Sequence, residues 1–289
     1  MYGVRGKSRV ALGDPVGSPE EAPWAIRLFL EMCRHHKVWP AFYGIEEKFV
    51  PVYLEYGLSI YKIGEEAQIP LGPFSLSGGA SQKFRQLVHH YEKEGAEFRV
   101  IPREETERAL PELKRVSDAW LSKKRGREKG FSMGAFRADY IRRFPVAVVT
   151  KNGRVIAFTN VCLGAEKKEA SGDLIRYEPG HSVSAMDFLF FKLILWAKKE
   201  GYERFNMGLA PLSGLKGSAF SPVWNRLGAF LFAHGEHFYK FKGLRRYKEK
   251  YHPEWAPKYL ASLGGLKTPR IFTDIAALIS GGLKGLVTR

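Results

Sequence analysis

Cysteine is nearly absent from this chain. Cys33 and Cys162 are the only two in 289 residues, and neither belongs to a CxxC or other metal-ligand pattern. A disulfide framework and a thiolate metal centre are thereby excluded, and a reduced, intracellular setting is expected. Long apolar runs are missing too. The most apolar segment, Phe188 to Ala197, contains Lys192 and reaches only about half of the ~18–20 residues that span a bilayer. The opening MYGVRGKSRVALGDPVG has no apolar stretch of the secretory kind, so any action at a membrane is expected from its aqueous side. P-loop, GxSxG and HExxH patterns do not occur, which removes a Walker phosphate cradle, a hydrolase nucleophile elbow and a zincin helix from consideration.

Acidic residues are the other scarcity. Lysine and arginine number 46 against 30 aspartates and glutamates, giving a formal net charge of +16 and a pI near 9.7. Such an excess repels itself in a compact state, so a neutralising partner is inferred, with a merely basic surface as the alternative. Apolar residues make up 45% of the chain and aromatics 13%, enough for a core and against wholesale disorder. The densest basic stretch, HGEHFYKFKGLRRYKEKYHPEW from His234 to Trp255, sets six lysines and arginines among aromatic rings with three acidic residues. Burying unpaired charge is strongly unfavourable, while the rings argue against a loose tail. A folded cationic surface suited to tRNA or anionic lipid is expected.

The order of elements is α/β throughout. A helix is expected over WAIRLFLEMCRHHK, ended by Pro40, with AFYGI as a buried strand; a second helix runs from Glu46 to Glu55. LSIYKIGEEAQIP reads as a strand or hairpin, Ser77–Glu94 as a third helix, and FRVI as the strand after it. The rhythm then restarts with a helix over Glu104–Lys124 and a polar loop at KKRGREKG. Phe144–Thr150 and Arg154–Leu163 flank Asn152-Gly153, the pair preferred in a type I′ hairpin. A strand near Leu174–Tyr177, a helix over Ser184–Lys199, a strand over Phe205–Leu209 and a helix or turn over Ser218–Phe230 follow. This gives two α/β halves of similar plan, residues 1–100 and 101–262, and a weakly amphipathic tail, 263–289. Glycines at 281, 282 and 285 weaken an isolated helix there, so docking of the tail on the protein is expected in preference to a membrane-surface contact.

Few residues offer chemistry by pattern alone. His35-His36 and His89-His90 lack ligand-type neighbours at helical spacing and read as surface histidines. His234 and His237 would point to opposite faces of a strand, so no metal site is expected. RFNMGLA (Arg204 to Ala210) is similar to the acyl-CoA pyrophosphate loop of GNAT acetyltransferases. It has one residue too many between Arg204 and Gly208, and Pro211 removes a further backbone donor, so acetyl-CoA is not expected. Asp173 and Arg176 are three apart in GDLIRYE and share a side only if the strand bulges near Gly172; spacing alone favours a pair of edge-strand charges. Asp187 beside Met186 reads as a helix-start acid, and Glu236 as a counter-charge in the basic stretch.

SRVALGDPVG, CRHHKVWPAFYGI, LSIYKIGEEAQIPL, SAMDFLFFKLILWAKKEGYERFNMGLAPLSGL and HGEHFYKFKGLRRYKEKYHPEWAPKYL occur in order between about Arg9 and Leu260. Together they resemble the catalytic domain of aminoacyl-phosphatidylglycerol synthases, whose best-known members are the phosphatidylglycerol lysyltransferases. The resemblance implies two tandem GNAT-like domains with mixed central sheets, related to the Fem aminoacyl-tRNA-dependent transferases. It also implies a reaction in which a hydroxyl of the phosphatidylglycerol headgroup takes an aminoacyl group, lysyl first, from aminoacyl-tRNA. Ester is exchanged for ester, so no metal and no cofactor beyond the aminoacyl-tRNA co-substrate is expected. By the same resemblance Asp173, Arg176 and Glu236 are the catalytic candidates, and Met186, Asp187, Tyr239, Arg245 and Lys248 the substrate-binding ones. Asp173 and Glu236 are assigned to the amino group and proton transfer, and Arg176, Arg245 and Lys248 to phosphate or oxyanion. The expected setting is the cytoplasmic face of the membrane, reached peripherally. The family's multi-helix membrane region has no counterpart before Arg9, which suggests a solo enzyme or an excised domain. Another acceptor on the same fold, or a non-catalytic basic module, are the competing readings.

Overall fold

The computed structural model describes residues 1–75, 82–124, 128–180, 183–215 and 239–281, with the side chains of residues 183 and 239–242 outside that description. The strands are β1 (Tyr2–Arg5), β2 (Ser8–Leu12), β3 (Trp39–Glu46), β4 (Ser59–Pro70), β5 (Ala96–Ile101), β6 (Val146–Lys151), β7 (Arg154–Leu163), β8 (Glu169–Tyr177), β9 (Arg204–Pro211) and β10 (Glu254–Ser262). The helices are α1 (Ala22–His35), α2 (Val50–Glu55), α3 (Gln82–Lys93), α4 (Thr106–Lys124), α5 (Ala138–Ile141), α6 (Val183–Lys199), α7 (Tyr239–Glu249) and α8 (Thr268–Ile279). This is the mixed α/β class expected. The chain divides into two compact units, one of residues 1–67, 130–132 and 208–289, the other of residues 68–129 and 133–207.

In the first unit the strand order is β1-β2-β3-β10-β4, with β2 parallel to β3 and β10 antiparallel to it. The two-residue period of β3 and β10 sorts their side chains between two cores. Ala41 and Leu260 join Val10, Ile63, Ile271 and Ile275, whereas Phe42 and Ala261 join Ile26, Ile45, Tyr53 and Leu58. The tail is therefore docked on the protein through α8. Asp274, 1% exposed, accepts from Ser8 Oγ at 2.8 Å and pairs with Arg270 at 3.2 Å. Gly281 lies beyond the helix with φ of 75°, so it ends the helix without weakening it. LSIYKIGEEAQIP forms one strand and no hairpin. Gly64, at φ 155°, serves close approach of two backbones, because a β-carbon there would overlap the carbonyl oxygen of Ala210.

In the second unit the order is β9-β8-β7-β6-β5, antiparallel except for the parallel β8–β9 pair. Asn152 and Gly153 both have positive φ, 51° and 73°, as the β6–β7 hairpin requires. Val146, Val148, Phe158 and Leu174 pack against Leu113 and Val116 of α4 and Ile141 of α5. α6 packs against β6, β7 and β8, and Phe188 and Phe191 stack on Tyr91 and Phe84 of α3 with ring centroids 5.1 and 4.7 Å apart. The helix or turn expected over Ser218–Phe230 and the strand expected at His234–His237 lie outside the described residues.

Candidate functional site

In the second unit the site begins with a buried asparagine. Asn160 is fully buried on β7, and among the described residues its Nδ2 has no hydrogen-bond partner. Its Oδ1 accepts from the backbone N–H of Leu174 at 2.8 Å. Across the ladder Thr159 pairs with Ile175 and Val161 with Gly172, so Asp173 and Leu174 together face the single residue Asn160. This is the bulge that a shared side for Asp173 and Arg176 demands. Leu174 enters the core under α4, and its neighbours Asp173 and Arg176 both reach groups on or beside α4 and α5.

Asp173 is held through both oxygens. Oδ1 accepts from the Gly134 N–H at 2.8 Å, and Oδ2 accepts from the Tyr140 hydroxyl at 2.6 Å. Burial first, and then the bond to Asp173 and its charge, push the Tyr140 hydroxyl well above its ordinary pKa, so it remains a donor. Burial and the Asp173 charge likewise raise the Cys162 thiol to about 11, which leaves it unreactive at neutral pH. Arg176 has a side chain only 9% exposed. Its guanidinium lies 4.2 Å from the Trp120 ring centroid, donates through Nη2 to Glu128 Oε2 at 2.7 Å and through Nη1 to the carbonyl of Ile175 at 3.0 Å. Burial lowers its pKa while Glu128 and Asp173 oppose the shift. Among the described residues Arg176 Nε and Glu128 Oε1 find no partner, and both are buried.

In the first unit Arg245 and Lys248, one helical turn apart on α7, anchor a second constellation. Arg245 Nη1 donates to Glu65 Oε2 and to Ser213 Oγ, Nε donates to Glu249 Oε1 at 3.0 Å, and the guanidinium lies 4.2 Å from the Trp255 ring centroid. Glu65 also accepts from Lys62 at 2.9 Å and Ser213 at 2.8 Å. Burial works to raise the pKa of Glu65, but the donors Lys62, Arg245 and Ser213 outweigh it and the carboxyl ends below its ordinary value. Lys248, 4% exposed, donates to the carbonyls of Gly208 at 2.8 Å and Leu209 at 2.9 Å. Burial brings its pKa down to about 8 against the opposing charge of Glu66.

Of the residues expected from sequence, Asp173 and Arg176 come together on the bulge, and Arg245 and Lys248 share a helix. Met186 and Asp187 stand half-buried near the start of α6. Tyr239 opens α7, with its side chain outside the described residues, and Glu236 lies wholly outside them. His35, His36, His89 and His90 are exposed, as expected. Among the described residues no group of histidine, cysteine and carboxylate side chains could hold a metal ion, and no helix is long and apolar enough to cross a membrane. Gly134, Tyr140, Asn160, Glu128, Trp120, Glu65 and Ser213 were not expected. Glu128 sits in the polar run KKRGREKG, where its charge blends with its neighbours.

A family model described as phosphatidylglycerol lysyltransferase, C-terminal, matches residues 1–262. A phosphatidylglycerol lysyltransferase of Bacillus subtilis (strain 168) is 38% identical over 263 residues, which cover 90% of this chain and 30% of that protein. Its counterpart in Staphylococcus aureus (strain MRSA252) is 34% identical over 261 residues, covering 90% and 31%. The chain thus spans about a third of the length of the curated relatives it matches. Among solved structures, the C-terminal domain of a protein described as a lysylphosphatidylglycerol synthetase from Agrobacterium fabrum superposes with a TM-score of 0.87 at 40% identity, covering 99% of this chain and 87% of that one. L-PGS from Bacillus licheniformis gives 0.82 at 35% identity, covering 96% and 84%. FemX, at 8% identity and a TM-score of 0.57 over 92% and 82%, shares the fold.

Proposed function

Because the chain belongs to the family of the phosphatidylglycerol lysyltransferase C-terminal domain, we propose that it transfers an aminoacyl group, lysyl first, from aminoacyl-tRNA to the glycerol headgroup of phosphatidylglycerol. The headgroup hydroxyl attacks the aminoacyl ester carbonyl, the bond to the tRNA ribose oxygen breaks, and the hydroxyl proton ends on that oxygen. One ester replaces another, so the tasks left to the protein are positioning, proton transfer and stabilisation of the developing oxyanion. Asp173 and Glu236 serve the amino group and the proton, Arg176 the oxyanion, and Arg245 and Lys248 phosphate. Met186, Asp187 and Tyr239 line the substrates. The observation that carries the reading is the Asp173–Arg176 pair, a carboxylate and a buried guanidinium turned to one side of a strand by a bulge.

The excess of 46 basic over 30 acidic residues supports a polyanionic tRNA substrate, an anionic lipid substrate and a peripheral contact with the cytoplasmic membrane face, at about 1 kcal/mol per basic residue near anionic lipid. A tandem of GNAT-like domains over residues 1–100 and 101–262 is part of the same proposal. The test is transfer of radiolabelled lysine from lysyl-tRNA into phosphatidylglycerol vesicles, followed by lipid extraction and chromatography. Label in a lipid that shifts by one lysyl group is expected. Folded protein that leaves every tested aminoacyl-tRNA intact, or that labels a peptide instead, would refute the proposal.

A further inference from the structure

The two donors on Asp173 constrain what that carboxylate can do, and this inference rests on the function proposed above. Each oxygen is tied by one bond to a group of fixed position, a backbone N–H at Gly134 and a phenol at Tyr140 whose ring packs in the α4–α5 core. Each oxygen still has a lone pair for a further donor. Swinging out to collect a proton would break one of the two bonds, and a protonated carboxyl would accept more weakly from the other donor. An ammonium group makes no such demand, since the carboxylate keeps its charge and its orientation while the ligand supplies the third hydrogen bond.

Gly134 completes the argument. A β-carbon at this position would overlap Asp173 Oδ2 and crowd its Cγ at 2.8 Å. Only glycine therefore lets the backbone come close enough to donate to the carboxylate. Asn160 acts one step further back, holding the Leu174 N–H at 2.8 Å and with it the bulge that presents Asp173. Arg176, whose pKa responds to the Asp173 charge, supplies the neighbouring positive group that an ester carbonyl seeks. A carboxylate beside a guanidinium matches an α-ammonium beside an ester carbonyl, the arrangement common to every aminoacyl ester.

We infer that Gly134 and Tyr140 are positioning residues that fix the Asp173 carboxylate as the receptor for the α-ammonium of the aminoacyl donor, and that Asp173 does not carry the proton of the attacking hydroxyl. The inference is tested by calorimetric titration of the full chain with lysine methyl ester, its Nα-acetyl derivative and its Nε-acetyl derivative, at about pH 6 where the amines are protonated. The unaltered chain should prefer the free α-amine about tenfold or more, a factor that corresponds to about 1.4 kcal/mol. Gly134→Ala, which displaces the carboxylate without removing its charge, should abolish that preference, and Tyr140→Phe should reduce it several-fold. Affinity for the Nα-acetyl ester should stay unchanged in both. A preference that survives both substitutions, that follows Nε-acetylation instead, or that falls only because all three esters weaken together would overturn the inference. The transfer assay is scored separately. A chain that transfers nothing yet shows an α-amine preference removed by Gly134→Ala would refute the proposed reaction and leave the receptor standing.

Discussion

Each unit contains an arginine lying 4.2 Å from a tryptophan ring centroid and paired with a glutamate: Arg176 with Trp120 and Glu128, Arg245 with Trp255 and Glu65. The resemblance ends at satisfaction. Arg245 bonds through Nε and Nη1, and both oxygens of Glu65 are occupied. Among the described residues Arg176 and Glu128 each keep a buried polar atom without a partner. A cluster whose buried groups are bonded resembles a structural fastening, whereas buried groups left short of partners mark a place where another requirement has overridden stability. The under-bonded arginine is also the one whose charge is felt beside Asp173. The difference argues that chemistry is centred on the β8 bulge and that the α7 cluster holds substrate or backbone in place.

The largest effect should separate the two by rate. Asp173→Ala is expected to lower transfer from lysyl-tRNA about 10²-fold or more, on the scale of a reacting group that has lost its positioning contact. Arg245→Ala should raise KM for a polyanionic substrate about tenfold and leave kcat nearly unchanged, as loss of a uniform binding contact does. Steady-state kinetics on both variants decide the point. A kcat loss in Arg245→Ala equal to that in Asp173→Ala would erase the distinction.

Stability should separate them in the same direction. Removing Glu128 leaves a guanidinium that is 9% exposed without its carboxylate, which should destabilise the fold by about 3 kcal/mol. Glu65→Ala should lose only about 1–2 kcal/mol, because Arg245 is 27% exposed and keeps Glu249 and Trp255. Chemical denaturation of each variant gives the comparison. Equal losses would mean that the unpaired atoms near Arg176 carry no information.

How far the site could be read from sequence depends on the range of each contact. The bulge was legible as a condition, since Asp173 and Arg176 cannot share a side of a regular strand. The hairpin at Asn152-Gly153 and the apolar helix before Gly201 were legible because turn chemistry and helical period are local. Tyr140, Gly134 and Asn160 were not, because their bonds to Asp173 and Leu174 join residues 33, 39 and 14 positions apart and follow from packing. The polar run containing Glu128 reads as solvated, yet one of its charges is half-buried against Arg176. The tail glycines were legible as helix breakers, and Gly281, the one among the described residues, sits just past the end of α8.

Acidity distinguishes the units as well. The pKa of Lys248, about 8, lies below its ordinary 10.5. Between those values the unfolded chain holds a proton that the folded chain has released, so the free energy of unfolding rises with pH across that window. Below about pH 8 both states are protonated, and the full penalty of burying the ammonium applies, on the order of 3 kcal/mol. The stability difference between the unaltered chain and Lys248→Met should therefore increase from pH 8 to 10.5 and be flat from pH 6 to 7.5. Arg176, lowered by burial but still charged, should give no such slope in Arg176→Met.

The smallest effect concerns the two tryptophans. A cation over a ring is worth about 0.5–1 kcal/mol where water reaches it and about 2 kcal/mol or more where it does not. Replacing tryptophan by leucine also removes packing, so single variants confuse two terms. A double-mutant cycle cancels the packing contribution and isolates the contact. The coupling from Trp120→Leu with Arg176→Met should be about 2 kcal/mol, and that from Trp255→Leu with Arg245→Met about 0.5–1 kcal/mol. Both arginines stand at the same distance from their rings, so any difference in coupling has to come from desolvation. Equal couplings would mean that water reaches Arg176 as readily as Arg245, and the under-bonded atoms beside Arg176 would then be ordinary solvated groups with no special claim on a substrate.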